Sequence, residues 1–404
     1  MTRALFVLQS LAGGGAERVA INIARMVPEI DVHLALFDPT SNYPFNGPVH
    51  LLQGDFMSGG AAAHRIGLLA RTVASISKLR ARLRLDVTVG FTTWPNLVAV
   101  ASTGPGRTIL TSHNFESTNI RGRSAPIVRG LIQTAYPRAD HVVAVSEGVR
   151  RDLVQHFRVP ASRTETIYNT VDIPEVTRLA AEPLPDELAF LEQRPFVLSA
   201  GRAVEQKGLW HLIRAFADRH SVFPSARLVF IGGGPLVPYL IDLARSYGLR
   251  VARADEEGTG AAAPADVVFL GFQKNPFAFM ARARAVALPS LWEGFGNVIV
   301  EALASGTLVL AANCRYGPAE ILARSVDAPN GEAEFGVLLP LCDGMRRGAD
   351  KPLTFAEVAW SDALEEVLAR PTLWNRYKAL GPPRADEFSI EAVAPRWERV
   401  FSTS

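Results

Sequence analysis

The chain has 404 residues, which is too long for one ordinary hydrophobic core and predicts two domains. Hydrophobic residues make up 48% of it and charged residues 20%, a balance that excludes a disordered protein. Its two cysteines, Cys314 and Cys342, exclude a disulfide framework and favour a reducing compartment. The formal net charge of +2 gives no reason to expect a nucleic-acid partner.

The charge is unevenly distributed along the chain. Residues 1–173 contain 18 Lys or Arg and 12 Asp or Glu, a balance of +6, whereas residues 174–404 contain 24 and 28, a balance of −4. Chance variation of the surface is one explanation. The other is that the first part of the chain faces an anionic partner.

The N-terminal sequence starts with a basic residue and a short apolar run, as signal peptides do. The run soon breaks into the glycines of residues 13–15, so we interpret it as a first β-strand. No apolar run approaches the roughly 18–20 residues that a membrane span needs. We therefore expect a cytoplasmic protein.

Short apolar runs alternate with helical patterns, which predicts parallel βαβ units. In the first half, strands are predicted at 4–8, 32–37, 87–91, 108–112 and 141–146, and helices at 16–26, 64–84, 126–136 and 147–157. In the second half, strands are predicted at 196–200, 228–232, 267–270, 286–289, 308–311 and 337–340, and a last helix at 389–400. Each half is expected to form a doubly wound sheet, which binds ligands at the carboxyl ends of its strands.

A proline-rich segment without clear periodicity, 172–185, marks the predicted domain boundary. We expect an N-terminal domain at 1–173, a linker at 174–192, a C-terminal domain at 193–384 and a final helical segment at 385–404. The acidic Gly/Ala-rich segment 253–264 is expected to be an exposed loop.

Two glutamates, Glu293 and Glu301, follow the predicted strand at 286–289 and are separated by seven residues. Glu293 lies in a glycine-rich turn, and Glu301 lies in a predicted helix that starts near Asn297. A buried carboxylate is costly unless a ligand or neighbour satisfies it. A polyhydroxylated ligand at the helix N-terminus would do so, because that end also favours anions.

Arg202 and Lys207 follow the first predicted strand of the second half, beside Gly201 and Gly208. An Arg supplies a planar fork of donors and a Lys supplies a point charge, a combination that suits a diphosphate. A solvated cationic loop is the commoner fate of such residues. The strand-end position, shared with Glu293, favours the anion site.

Other strand ends carry candidate binding residues. The turn with Gly14–Gly15 exposes backbone amides at the start of a helix, which predicts a phosphate cradle, and the turn with Gly233 is a second glycine loop between a strand and a helix. Plain strand-to-helix turns explain these glycines about equally well. His113 ends the predicted strand at 108–112, and a lone histidine is more often structural than functional. The pair Trp210-His211 has no interpretation from the sequence pattern.

The spacing of Glu293 and Glu301, together with Arg202 and Lys207, resembles retaining GT-B glycosyltransferases, family 4 in particular. The resemblance covers nearly the whole chain and implies an α/β fold of two doubly wound Rossmann-like domains facing a central cleft. It implies a nucleoside diphosphate sugar as donor, with UDP as the expected nucleotide, and a hydroxyl of a glycan or polyprenyl-linked glycan as acceptor. The final helix is implied to cross back to the first domain, and domain closure to precede transfer.

The resemblance also assigns roles to residues. Arg202 and Lys207 would hold the diphosphate, Glu293 would contact the sugar, and Glu301 would bind the ribose. His113 would bind sugar hydroxyls and help to hold charge at the reacting centre. The remaining residues implied to bind the nucleotide sugar are Gly14, Gly15, Gly233, Phe272, Gly294, Phe295, Gly296 and Asn297.

No metal and no cofactor are expected. The chain has no Asp-x-Asp motif and no histidine–carboxylate pair at zinc spacing, so Arg202 and Lys207 are implied to neutralise the leaving group.

Competing interpretations are a sugar-nucleotide epimerase or hydrolase, a non-catalytic partner subunit, and a nicotinamide-dependent oxidoreductase. Asp38 is the one residue that favours the oxidoreductase. The helix at 64–84 is explained as an ordinary surface helix that packs its apolar stripe on the sheet. Its basic face, with Arg121, Arg123 and Arg129, also predicts peripheral contact with the anionic inner face of the plasma membrane.

Overall fold

We describe the protein from a computed structural model. The structure describes residues 2–12, 14–52, 62–120, 122, 125–253 and 265–402. It divides the chain into two compact units, residues 1–170 with 390–404 and residues 171–389. Within the described residues, no helix combines the length and the apolar character needed to cross a lipid bilayer.

Helices and strands are numbered in chain order, and the first unit is built on a parallel sheet. Among the described residues its strands are β1 (Thr2–Leu8), β2 (Ile30–Leu36), β3 (Val49–Leu51), β4 (Val87–Phe91), β5 (Arg107–Ser112), β6 (His141–Ala144) and β7 (Thr164–Thr166). They lie in the order β3-β2-β1-β4-β5-β6-β7. Its helices are α1 (Gly15–Met26), α2 (Ala62–Leu83), α3 (Thr93–Ala101), α4 (Glu116–Asn119), α5 (Ala125–Ala135) and α6 (Glu147–Phe157), together with the last helix, α15 (Ile390–Ser402).

The second unit is built on another sheet of mostly parallel strands. Among the described residues these are β8 (Phe196–Ala200), β9 (Arg227–Ile231), β10 (Val251–Arg253), β11 (Val267–Phe269), β12 (Ala285–Leu288), β13 (Val309–Ala312), β14 (Gly331–Glu332) and β15 (Val337–Leu339). Their order is β10-β11-β9-β8-β12-β13-β15-β14, and β14 pairs antiparallel to β15. The helices are α7 (Ile173–Ala180), α8 (Leu209–His220), α9 (Val237–Ser246), α10 (Phe277–Arg282), α11 (Asn297–Ala304), α12 (Pro318–Ala323), α13 (Phe355–Ala369) and α14 (Pro371–Asp386).

Central strands are buried on both faces, as expected of sheets covered by helices. All residues of β4, β8, β9 and β12 are buried. In the first unit, α1 and α15 pack on one core, where the rings of Phe6 and Phe401 stack 6.1 Å apart. Arg107 donates hydrogen bonds of 3.0 Å to the carbonyls of Val400 and Phe401, which fastens the end of α15 to this unit.

The segment 174–192, expected to be a linker, is part of the second unit and largely helical. Asp172 caps α7 by accepting a 3.1 Å hydrogen bond from the Glu175 amide, and Pro174 occupies the first turn, where its missing N–H costs nothing. The prolines therefore start a helix here instead of preventing one. Of the predicted loop at 253–264, residues 254–264 lie outside the described residues.

Candidate functional site

The turns that follow β8 and β12 bring two of the predicted residues together. These strands are adjacent and parallel, so their carboxyl ends lie at the same edge of the sheet. Lys207 lies in a short 3₁₀ turn after β8, and Glu293 lies in the turn after β12. Lys207 Nζ is 2.5 Å from Glu293 Oε1. The two side chains are 18% and 11% exposed, so water screens this ion pair only in part.

Gln206, which the sequence analysis did not single out, ties the same two turns together. Its side-chain amide donates to the Trp292 carbonyl at 2.9 Å and to Glu293 Oε2 at 3.4 Å. Its backbone carbonyl accepts a 2.7 Å hydrogen bond from the Leu291 amide. Both oxygens of the Glu293 carboxylate are therefore held by the loop after β8. In the sequence, the only signal was that Gln206 is next to Lys207.

Glycines let these turns approach one another closely. Gly208 has a φ of 56°, and a Cβ there would lie 2.6 Å from the Pro289 carbonyl oxygen. Gly232, after β9, has a φ of 112°, and a Cβ there would lie 2.2 Å from the Gly201 carbonyl oxygen. Any larger residue would separate the loops and move Lys207 or Glu293.

Three other predicted residues follow strands of this sheet and are exposed to solvent. Arg202, after β8, makes no side-chain hydrogen bond or ion pair with the described residues. Gly233 follows β9, and Phe272 follows β11 with 83% of its surface exposed. The turns after β9 and β11 are joined by a 2.7 Å hydrogen bond from the Gly232 amide to the Gly271 carbonyl.

The turn at 294–297 leads into α11, which starts at Asn297 with Gly296 as its N-cap. Phe295 is 2% exposed, and its ring packs edge-on against Phe388 with centroids 5.4 Å apart. Its side chain therefore belongs to the core, and any ligand contact from Phe295 comes from its main chain. Glu301 is 7% exposed, on the same helix.

In the first unit, the predicted phosphate cradle holds a carboxylate of the chain itself. Gly14 caps α1, and Gly15 is its first residue. A Cβ on Gly14 would lie 2.1 Å from Glu17 Oε2, so the Glu17 carboxylate lies against the start of the helix, where the dipole favours negative charge. A phosphate at Gly14–Gly15 would have to displace Glu17. Gly13 lies outside the described residues.

His113 follows β5 and is uncharged in this fold. Its Nε2 lies 2.9 Å from Thr111 Oγ1, and its ring stacks on Phe91 with centroids 5.8 Å apart. Burial lowers the pKa of His113 to about 3, so the imidazole is neutral at physiological pH. A neutral ring can form a hydrogen bond with a sugar hydroxyl, and any help in holding charge at a reacting centre would come from this uncharged ring.

Trp210 and His211 have structural partners. The Trp210 indole donates to the Met345 carbonyl at 3.2 Å, and His211 Nδ1 lies 2.8 Å from Glu357 Oε1. Both side chains are fully buried. Asp38, the residue that favoured a nicotinamide site, accepts hydrogen bonds from the amide and the hydroxyl of Thr40 at 2.7 and 2.6 Å, as expected of a turn residue.

Two family models match consecutive parts of the chain. Glycosyltransferase Family 4 matches residues 13–175, and Glycosyl transferases group 1 matches residues 181–332. The gap between the matches lies just after the boundary of the two compact units at residues 170 and 171.

Characterised and uncharacterised relatives agree with these models. The N-acetylgalactosamine-N,N'-diacetylbacillosaminyl-diphospho-undecaprenol 4-alpha-N-acetylgalactosaminyltransferase of Campylobacter jejuni is 28% identical over 394 residues, which is 96% of each chain. An uncharacterized glycosyltransferase of Methanocaldococcus jannaschii is 29% identical over 65% of this chain. That match spans 63% of the archaeal relative, less than two thirds of its length.

Solved structures share the fold. HepE from Anabaena, crystallised with UDP and glucose, superposes with a TM-score of 0.74 at 21% identity over 100% of both chains. WaaG, a glycosyltransferase involved in lipopolysaccharide biosynthesis, superposes with a TM-score of 0.71 at 15% identity over 99% of this chain and 100% of WaaG. The fold is therefore that of a GT-B glycosyltransferase.

With both models matched in chain order, the protein belongs to the GT-B glycosyltransferases of the family 4 type. This assignment excludes the nicotinamide-dependent oxidoreductase.

Proposed function

We propose that the protein is a retaining glycosyltransferase that moves a sugar from a UDP-sugar to a hydroxyl of a glycan or polyprenyl-linked glycan. The observation that carries the proposal is the Lys207–Glu293 pair at the carboxyl edge of the second sheet, with the exposed Arg202 in the same loop. Cations beside a carboxylate suit a sugar diphosphate, which offers anionic oxygens and hydroxyls together. HepE was solved with UDP and glucose, and the Campylobacter relative acts on a diphospho-undecaprenol-linked sugar, which supports this choice of donor and acceptor.

In this proposal Lys207 and Arg202 stabilise the negative charge that develops on the departing diphosphate, and no metal is needed. Glu293 accepts hydrogen bonds from the sugar and stabilises positive charge near its ring. Glu301 binds the ribose hydroxyls near the N-terminus of α11. His113 accepts a hydrogen bond from a hydroxyl of the sugar. Because Lys207 and Glu293 neutralise each other in the structure, the donor has to compete with their ion pair.

The proposal is tested by incubating the purified protein with separate radiolabelled nucleotide sugars and a lipid acceptor extract. Label from one UDP-sugar should enter the lipid fraction, and NMR of the product should show the anomeric configuration of the donor. Free labelled sugar would indicate a hydrolase, and an altered sugar nucleotide would indicate an epimerase. If no donor is consumed, the protein is a non-catalytic partner subunit. A product with the opposite anomeric configuration to the donor would contradict retention.

Glu301→Gln is expected to weaken UDP binding about tenfold or more, because a hydrogen bond to a charged group is worth roughly 1.5–3 kcal/mol. Isothermal titration calorimetry with UDP measures the change, and thermal unfolding provides the control. If Glu301 is instead a structural residue of α11, the melting temperature falls and the affinity for UDP stays the same.

Peripheral membrane binding is the second prediction of the proposed function. On α2, Arg71, Lys78 and Arg82 are exposed, whereas Arg80 is buried and donates a 2.8 Å hydrogen bond to the Gly106 carbonyl. The apolar stripe of the helix packs on the core of the first unit, so only the basic face is open to lipid. Two residues of the predicted basic surface, Arg121 and Arg123, lie outside the described residues.

Each basic residue near an anionic bilayer contributes about 1 kcal/mol, so the protein should sediment with phosphatidylserine vesicles at low salt and dissociate at high salt. Arg71→Glu/Lys78→Glu should reduce this binding strongly. Arg245→Glu/Lys351→Glu, which makes the same change of charge on the surface of the second unit, should not. A wild-type protein that stays wholly in the supernatant at low salt would favour a soluble acceptor.

A further inference from the structure

The imidazole of His113 is held by a short relay of hydrogen bonds within the first unit. Thr111 Oγ1 lies 2.9 Å from the Gly90 carbonyl oxygen on the neighbouring strand and 2.9 Å from His113 Nε2. The three groups therefore form one chain, from a backbone carbonyl through a hydroxyl to a ring nitrogen. The threonine hydroxyl has one proton to donate and lone pairs to accept with, so it can link the carbonyl to the ring.

The chemistry of these groups fixes the position of each proton. A carbonyl oxygen only accepts, so the single hydroxyl proton of Thr111 goes to Gly90. The hydroxyl oxygen can then only accept from His113, which requires a proton on Nε2. A neutral imidazole has one N–H, so Nδ1 carries the lone pair. Burial lowers the pKa of His113 to about 3, which prevents a second proton from adding at neutral pH.

The neighbours of Thr111 hold it in place. Asn96 Nδ2 donates to the Thr111 carbonyl at 2.9 Å and to the Tyr136 hydroxyl at 3.0 Å, and all three side chains are buried. A Cβ on Gly90 would lie 2.4 Å from Asn96 Oδ1, so the glycine allows this close packing. The hydroxyl that faces His113 is therefore part of a rigid polar cluster.

His113 Nδ1 is shielded from solvent and has no hydrogen-bond partner among the described residues. A buried acceptor without a donor is unfavourable, and such groups commonly occur where a ligand supplies the missing partner. With its proton fixed on Nε2, the ring can offer a ligand only a lone pair. That lone pair binds a hydroxyl and repels a phosphate oxygen.

We propose that Thr111 is a positioning residue that fixes His113 as the Nε2-protonated tautomer, so that the imidazole binds sugar only by accepting a hydrogen bond from a hydroxyl at Nδ1. The identity of the ligand as a sugar rests on the proposed function. The tautomer itself does not, because it follows from contacts within the first unit.

The tautomer is measured by ¹⁵N NMR of the free protein, with the His113 signals identified by their loss in His113→Gln. In the wild type, Nε2 should be protonated and Nδ1 unprotonated. Thr111→Ser keeps the hydroxyl and should keep this state, whereas Thr111→Val keeps the shape, removes the acceptor and should populate the Nδ1-protonated tautomer. A wild-type protein protonated on Nδ1, or a Thr111→Val protein with the wild-type tautomer, would overturn the proposal. Neither result depends on whether the protein transfers sugar.

Kinetics then separate positioning from folding. Thr111→Val should lower kcat/KM for the sugar nucleotide that the wild type uses by about tenfold, the effect of one lost hydrogen bond, while Thr111→Ser stays near wild type. The Kd for UDP alone, which lacks the sugar hydroxyls, should be the same in all three proteins. An equal loss of UDP affinity in Thr111→Val would show a merely structural role and overturn the proposal. If no protein transfers sugar, the proposed function fails while the tautomer result stands.

Discussion

Lys207→Ala is expected to lower the turnover of sugar transfer by about two to three orders of magnitude. Removing one group that stabilises a developing anion commonly costs about 2.7–4 kcal/mol in the transition state. Lys207 lies in a short turn after β8 and not in the core, so the fold should survive the change. Steady-state kinetics with the accepted sugar nucleotide measure the effect, and near-normal turnover would contradict the assignment of Lys207 to the diphosphate.

The same substitution leaves Glu293 without its ion-pair partner. The Glu293 side chain is only 11% exposed, so an unpaired carboxylate there destabilises the site locally and contributes to any lost activity. In the double variant Lys207→Ala/Glu293→Gln, stability should return toward the wild type while turnover stays low. Lys351→Ala, which removes an exposed lysine paired with Asp350 at 3.1 Å, should change neither quantity. A double variant that regained turnover would show that transfer needs neither the Lys207 ammonium nor the Glu293 carboxylate, and would contradict both assignments.

The sequence predicted the parts of the site that follow from topology. Parallel strands place their carboxyl ends at one edge, so Lys207 and Glu293 could be expected to share a region although 86 residues separate them. Their direct ion pair could not be predicted, because it depends on how two loops pack side by side. The same holds for Gln206 and for Glu17, whose carboxylate lies at the turn where the sequence analysis expected a phosphate.

Very short strands and a helix without a polar face could also not be predicted from the sequence pattern. The pattern analysis did not predict β3, β7, β10 and β14, which have only two or three residues each and cannot show alternation. Helix α3 was also not predicted, because its sequence TWPNLVAVA is apolar except for Thr93 and Asn96 and has no helical period. It is buried over residues 95–99, and tertiary packing rather than amphipathicity stabilises it.

His211 belongs to a buried network centred on Arg214, which has a side chain without solvent exposure, while the neighbouring Trp210 donates to the Met345 carbonyl. The Arg214 guanidinium binds Glu357 Oε1 at 2.8 Å, and His211 Nδ1 contacts the same oxygen at 2.8 Å. The other groups that accept from Arg214 are the Tyr247 hydroxyl at 2.8 Å and the carbonyls of Arg347, Gly348, Lys351 and Pro352 at 3.4, 2.6, 3.1 and 2.8 Å. One side chain thus fastens α8 to α13 and to the loop before α13.

Arg214→Ala is therefore expected to destabilise the protein by about 3–5 kcal/mol, because removing one partner of a buried ion pair leaves the other charge uncompensated. Urea denaturation followed by tryptophan fluorescence measures the loss. The matched control is Arg370→Ala, which removes an exposed arginine that pairs with Glu366 near the end of α13 and should cost less than about 1 kcal/mol. A similarly small loss for Arg214→Ala would show that the network does not stabilise the second unit.

The dependence of this loss on pH tests the role of Glu357 in the network. Burial alone would raise the pKa of Glu357, but hydrogen bonds from His211 and Arg214 lower it from 4.5 to about 2. A carboxyl with a lowered pKa stabilises the fold above its unfolded value, and this contribution is lost as the pH falls toward the folded value. The difference in stability between wild type and Arg214→Ala should therefore be constant above about pH 5 and narrow steadily toward pH 2. A difference that stayed unchanged throughout this acid range would mean that Arg214 stabilises the loop carbonyls alone and not the Glu357 carboxylate.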